Sequence, residues 1–153
     1  QRTGLPLVSA GIVQDRDYFE REVEPHIDGD RVRFVGAVGP EGKCELLGGA
    51  RALMHIVRFD EPFGFSVVEA MACGTPVIAS RRGSMPEIIS DGVNGQLVDS
   101  VAGAVGAMAA IADLEPERVR ASVERRFDKD RMVDEYIAVY RRIVGTSPPR
   151  RSA

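Results

Sequence analysis

Apolar residues come in short bursts along the chain, and charged or turn-forming residues separate each burst from the next. The segments 5–10 (LPLVSA), 31–36 (RVRFVG), 52–57 (ALMHIV), 76–80 (PVIAS) and 94–99 (NGQLVD) have the length and punctuation of short strands. Between them, "DRDYFEREVEPHI" spaces Tyr18, Phe19, Val23 and Ile27 near a helical period. "PEGKCELLGGA" reads as a helix weakened by its glycines. A turn from Glu61 to Phe65 leads into a helix from Ser66 to Ala72, broken at "GTP". "MPEIISDG" is a short helix with Pro86 in its first turn and Gly92 past its end. Residues 101–145 read as helical, with breaks near Pro116 and Asp128. Strands alternating with helices predict an α/β domain: a Rossmann-like, doubly wound, mainly parallel sheet with helices on both faces. Ligands of such sheets gather beyond the carboxyl ends of the strands. The loops to watch are therefore 11–15, 36–41, 58–66 and 81–86.

A length of 153 residues suits one domain with a substantial core. The reading assigns 1–145 to that domain and 146–153, "TSPPRRSA", to a disordered tail. A formal net charge of -3 offers no general attraction to nucleic acid or an anionic membrane, so any phosphate site is built locally. No stretch of eighteen apolar residues is present, and "QRTGLPLVSAG" lacks a signal-peptide pattern. Cys44 and Cys73, far apart in sequence, are read as free buried thiols of a reducing compartment. They have no metal-ligand spacing with His26 or His55, and no metal site is expected.

The segment "DEPFGFSVVEAMACGTPVIAS" (60–80) carries the chemistry. Gly64 permits unusual backbone dihedrals. The amides from Gly64 to Val68 open a helix and suit an anion. Glu61 and Glu69 flank them. From spacing alone, Ser66 and Glu69 form a capping box, Glu61 is a solvated loop acid, or the two acids form a catalytic pair. These alternatives stay open at this level.

That segment resembles the signature of family 4 retaining glycosyltransferases, which have the glycosyltransferase B fold: a Glu, seven residues, a second Glu, then a small-residue helix and a G-T-P-V strand. "RGSMPEIISDGVNGQLVDS" and "RVRFVGAVGPEGKCELLGGARALMHIV" match the neighbouring segments, so the likeness covers about residues 5–145. The resemblance implies a domain that binds the sugar-nucleotide donor. By that likeness Glu69 accepts hydrogen bonds from ribose hydroxyls, and Glu61, the residue assigned to catalysis, addresses the transferred sugar. The amides of Phe63, Gly64 and Phe65 line the sugar, those near Val67 and Val68 hold phosphate beside Ser66, and Val38 in "GAVG" faces the base.

The likeness implies transfer of a hexose from a nucleoside diphosphate sugar, with UDP the expected nucleotide. It implies no cofactor, no required metal and no protein nucleophile. The family's first strand, with its basic loop, and its acceptor domain have no counterpart, so the domain is expected to be incomplete at its N-terminus. The missing half is expected in cis or in another chain. The isolated chain is then expected to be inactive and prone to self-association. Its sheet is expected to close, borrow a strand or depart from the family order. The expected location is the cytoplasm, with peripheral membrane contact through the missing half. Arg58, Arg81 and Arg82 lie near the expected site and are read as solvated. The competing readings are a non-catalytic nucleotide-sugar binding module and a sugar-nucleotide epimerase or phosphorylase of the same fold.

Overall fold

The computed structural model describes residues 3–146. The rest of the expected disordered tail, from residue 147 on, lies outside the described residues. Five short strands alternate with helices. Strand β1 is Leu7–Ser9, β2 Val32–Phe34, β3 Leu53–His55, β4 Val77–Ser80 and β5 Gly95–Val98. A helical stretch, α1, runs from Arg16 to His26 and changes pitch twice, with a π-helical turn at Phe19–Val23 and a 3-10 turn at Glu24–His26. The remaining helices are α2 (Pro40–Gly48), α3 (Phe65–Ala72), α4 (Met85–Ile88), α5 (Val101–Ala110), α6 (Pro116–Phe127) and α7 (Lys129–Thr146).

All the strand pairs are parallel, but they make two sheets rather than the single one expected. One sheet is β1–β2 and the other is β3–β4–β5. Within each sheet the strands are neighbours in chain order, and among the described residues no strand pairing joins β1–β2 to β3–β4–β5. Leu7 donates to Arg31 and Ser9 accepts from Val35, so Val8 turns its backbone to the other, unpaired edge. Leu53 likewise bonds to Pro76, which turns Met54 outward.

The core sits entirely in the second sheet and its helices. β4 is apolar on both faces because both are covered. Val77, Ala79 and Leu97 pack with Val67, Met71, Val119 and Val123 of α3 and α6. Ile78 and Val98 face Ala104, Ala107 and Ile111 of α5. Among the described residues none before Leu47 is buried, and Leu7 of β1 remains 49% exposed.

Local chemistry sets the element ends. At the end of α3, Gly74 takes a left-handed φ of 84°. Its amide donates to Met71 and that of Thr75 to Ala70, the paired bonds of a Schellman close. Thr75 Oγ1 then donates to the Leu47 carbonyl (2.5 Å), tying the end of α3 to α2. Asn94 is fully buried and fully used: it donates to the Ile88 carbonyl and Ser122 Oγ and accepts from the Ser90 amide. Asp128 accepts from the amides of Asp130 and Arg131, which separates α6 from α7 near the expected break.

The cysteine reading needs correction. Cys44 is exposed and Cys73 half-buried, and helix packing brings the two thiols together. Burial, then the neighbouring Cys44, raises the Cys73 pKa above its ordinary value.

Gly95 begins β5 so close to β4 that a Cβ there would lie 2.2 Å from the Val77 carbonyl oxygen. Gly95→Ala is expected to cost about 1–3 kcal/mol by overpacking. Urea unfolding measures this, and an unchanged midpoint would mean the strands separate without cost.

Candidate functional site

The site is built where β3 and β4 end. The chain leaves β3 at His55, turns through residues 60–64 and enters α3. The turn is clamped by the loop after β4. Ser84 donates its amide to the Glu61 carbonyl (2.9 Å) and its hydroxyl to the Phe63 carbonyl (3.0 Å). A Cβ on Gly83 would lie 2.4 Å from the Glu61 carbonyl oxygen, so only glycine allows this approach. Gly64 has φ 85° and faces Met85, whose methyl would stand 2.6 Å from an added Cβ.

Gly64, not Ser66, is the N-cap of α3, which begins at Phe65. The capping-box reading is thereby overturned: Ser66 lies within the helix, and Glu69 does not reach back to its amide. The Glu69 carboxylate instead pairs with Lys43 Nζ of α2 at 2.5 Å. Both side chains are 39% exposed, so the pair adds little to stability, but it fixes one carboxylate oxygen.

Glu61 folds onto its own turn. Its Oε1 accepts from Gly64 N (3.1 Å) and Phe63 N (3.4 Å), and its Oε2 lies 3.9 Å from His55 Nε2. Of the amides expected to line a sugar, those of Phe63 and Gly64 thus face Glu61 in this structure. The amides of Val67 and Val68, expected at phosphate, donate to the Gly64 carbonyl. Phe65 and Ser66, in the first turn, have no acceptor within the helix. They are the donors this turn presents to an anion. The surface is open, with Phe65 73% exposed and its ring tilted against that of Phe63, centroids 4.7 Å apart.

Val38 is half-buried in the loop after β2, below the α2 helix that carries Lys43. Arg81 turns away to Asp91 and Asp99, and Arg82 donates to the Arg58 carbonyl. Sequence reasoning singled out neither Lys43 nor His55. Only the packing of α2 on α3, and of β3 under the 60–64 turn, brings them to the acids. Among the described residues, no three His, Cys, Asp or Glu side chains cluster as a metal set. No helix among them is long and apolar enough to cross a membrane.

The geometry defines an α/β domain of the doubly wound type, with an acid-flanked helix N-terminus at the carboxyl ends of its strands. Residues 1–127 match the family described as Glycosyl transferases group 1, and the chain belongs to that family. It is 37% identical over 120 residues to a D-inositol 3-phosphate glycosyltransferase of Mycolicibacterium smegmatis, a match covering 74% of this chain and 27% of that protein. Among solved structures, AviGT4, a glycosyltransferase involved in avilamycin A biosynthesis, superposes with a TM-score of 0.79 at 26% identity, covering 95% of this chain and 45% of that one. Anabaena HepE in complex with UDP and glucose superposes with a TM-score of 0.68 at 26% identity, covering 87% and 40%. The chain therefore spans less than half the length of each of these proteins.

His55 gives the site a pH dependence. Its Nε2 is buried without a hydrogen-bond partner, and burial lowers its pKa below the ordinary value, opposed by the Glu61 carboxylate. The unfolded chain then binds a proton more readily than the folded one. The stability associated with neutral His55 is fully present above about pH 6.5 and is lost as pH falls toward the depressed folded value. Melting curves between about pH 8 and pH 5 should show a steeper acid-side loss in the native chain than in His55→Gln. Parallel curves would reject the assignment.

Proposed function

We propose that this chain is the donor-binding half of a retaining glycosyltransferase, moving a hexose from a nucleoside diphosphate sugar to an acceptor held elsewhere. One observation carries the reading: the open N-terminus of α3 lies between Glu61 and Glu69 on a clamped turn. Its first-turn amides, at Phe65 and Ser66, meet the diphosphate and stabilise it as a leaving group without requiring a metal. Glu69, oriented by Lys43, keeps a carboxylate oxygen for the ribose hydroxyls. Glu61 exchanges its bonds to the Phe63 and Gly64 amides for hydroxyls of the sugar, releasing those amides to line it. Val38 contributes to the base side. UDP is the proposed nucleotide, supported by the HepE complex named above.

The acceptor site belongs to polypeptide outside these 153 residues, in the same chain or another. In this reading the isolated chain binds donor weakly and transfers nothing. Its setting is the cytoplasm, where Cys44 and Cys73 stay reduced, and any membrane contact comes through the other half.

Calorimetric titration with UDP and with a UDP-hexose, alongside thermal melting, tests the division of labour. Glu69→Ala should weaken both ligands by about 1–3 kcal/mol, the scale for a hydrogen bond to a charged group. Unchanged affinity for UDP would reject the ribose role.

Glu61→Ala should spare UDP and weaken only the sugar conjugate, because Glu61 precedes the turn whose amides take the phosphate. Equal losses for the two ligands would remove Glu61 from the sugar. Sugar-nucleotide binding with no transfer, even when the remainder of the enzyme is supplied, would favour a non-catalytic binding module.

A further inference from the structure

Among the described residues, His55 Nε2 is the one buried side-chain polar atom without a hydrogen-bond partner. His55 ends β3 beneath the 60–64 turn, and its side chain is 12% exposed. A buried nitrogen left unsatisfied costs free energy, and folded proteins keep few of them. The acceptor that faces it is Glu61 Oε2, at 3.9 Å, which is beyond a hydrogen bond.

Glu61 divides its two oxygens between different partners. Oε1 accepts from Gly64 N at 3.1 Å and from Phe63 N at 3.4 Å, the second long for such a bond. Oε2 is turned to His55 and stops about 1 Å short of hydrogen-bond range. On the donor reading above, on which this inference rests, Glu61 gives up both amides to a sugar. Its carboxylate then needs another hold.

We propose that His55 is the positioning residue for Glu61: as Oε1 leaves the Phe63 and Gly64 amides for a sugar hydroxyl, Oε2 closes onto His55 Nε2, which donates to it. Before the exchange the amides hold the carboxylate. After it the sugar oxygens have the amides and His55 has the carboxylate, so each polar group keeps a partner.

The exchange has a proton signature. The elements packed chiefly on β3 are β4 and α3. β4 carries no charged residue, and Glu69, the single charged residue of α3, is paired with Lys43. Burial lowers the His55 pKa, and of Arg58, Asp60, Glu61, Arg81 and Arg82 in the two loops, Glu61 is the one that acts on it, in the raising direction. A carboxylate drawn closer raises it further, so the exchange takes up a proton in the interval between the two values.

Calorimetric titration of the 153-residue chain with UDP and with a UDP-hexose, at about pH 6 in two buffers of different ionisation enthalpy, tests this. The UDP-hexose should bind with proton uptake and UDP without it. His55→Leu should lower affinity for the UDP-hexose about tenfold, the scale for a hydrogen bond to a charged group, and leave that for UDP unchanged. His55→Gln, whose side-chain amide also donates, should restore the affinity but not the proton uptake. Thermal melting alongside separates packing from positioning, since a merely structural histidine shifts melting without shifting the ratio of the two affinities. Should His55→Leu fail to fold, loss of the uptake in His55→Gln decides alone. Equal losses for both ligands in His55→Leu, or uptake that survives His55→Gln, overturn the proposal. If Glu61→Ala weakens the UDP-hexose and His55→Leu does not, the donor reading stands and the role of His55 falls. A chain that binds neither ligand, or is indifferent to Glu61→Ala, removes both.

Discussion

The close approach of two backbone turns governs the rest of the site. The turn at 60–64 and the loop at 81–84 pass so near each other that Gly83 cannot bear a side chain, while Gly64 holds a left-handed φ against the Met85 methyl. Two bonds from Ser84 hold them in that contact. Because the turns follow adjacent strands, the contact sets the direction in which α3 leaves the sheet. It also sets where Glu61 stands relative to the first-turn amides. The Met85 methyl against Gly64 then continues the contact into the core, since Met85 is fully buried. A side chain at either glycine would shift the helix and the acid together, because one backbone contact positions both.

Support for the site is unequal on its two sides. Glu61 and α3 rest on the three-stranded sheet, where β4 is covered on both faces. Lys43 and Val38 rest on α2 and the loop before it, and Leu47 is the one residue of α2 buried in the core. The ties across are the Thr75 bond to Leu47 and the Lys43–Glu69 pair. Regions with few buried contacts open at lower free energy than a packed core. The first two strands add to this imbalance, since they carry no fully buried residue.

Much of the architecture was legible in the sequence, for identifiable reasons. Fully buried strands read as apolar runs, and the stops at "GTP", Pro116 and Asp128 have local backbone causes that leave their mark in composition. The start of α3 was misplaced by one residue because Ser66 and Glu69 match a capping pattern locally, whereas Gly64 is drawn into the cap by its contact with Met85. The division of the sheet was not legible in the strands themselves, since an edge strand and a covered one have similar apolar runs. Lys43 and the Cys44–Cys73 neighbourhood depend on contacts between helices distant in sequence, and His55 meets Glu61 only because the 60–64 turn folds back over the end of β3; periodicity encodes neither. Gly83 was visible as a glycine in a loop after a strand, but the reason for it, the Glu61 backbone, was not.

The placement of partners around the acids resolves an electrostatic difficulty in the loop. Two carboxylates beside a helix N-terminus ought to repel any anion approaching it. Each carboxylate, however, has local compensation. Lys43 offsets Glu69, while the Phe63 and Gly64 amides take up Glu61 and His55 stands under it. Phe65 and Ser66 remain between them, and their amides sum with the dipole of α3 as the uncompensated positive end. With a chain charge of -3, no long-range field draws an anion in, so attraction has to arise at this one turn. In the proposed donor-binding role the acids act at short range on hydroxyl groups and leave the anion's charge to the amides. In that role the loop distinguishes a ligand carrying both hydroxyls and phosphate from one carrying phosphate alone. That discrimination is lost if either glutamate becomes an amide donor, because a primary amide lacks the two equivalent acceptor oxygens that a hydroxyl pair requires.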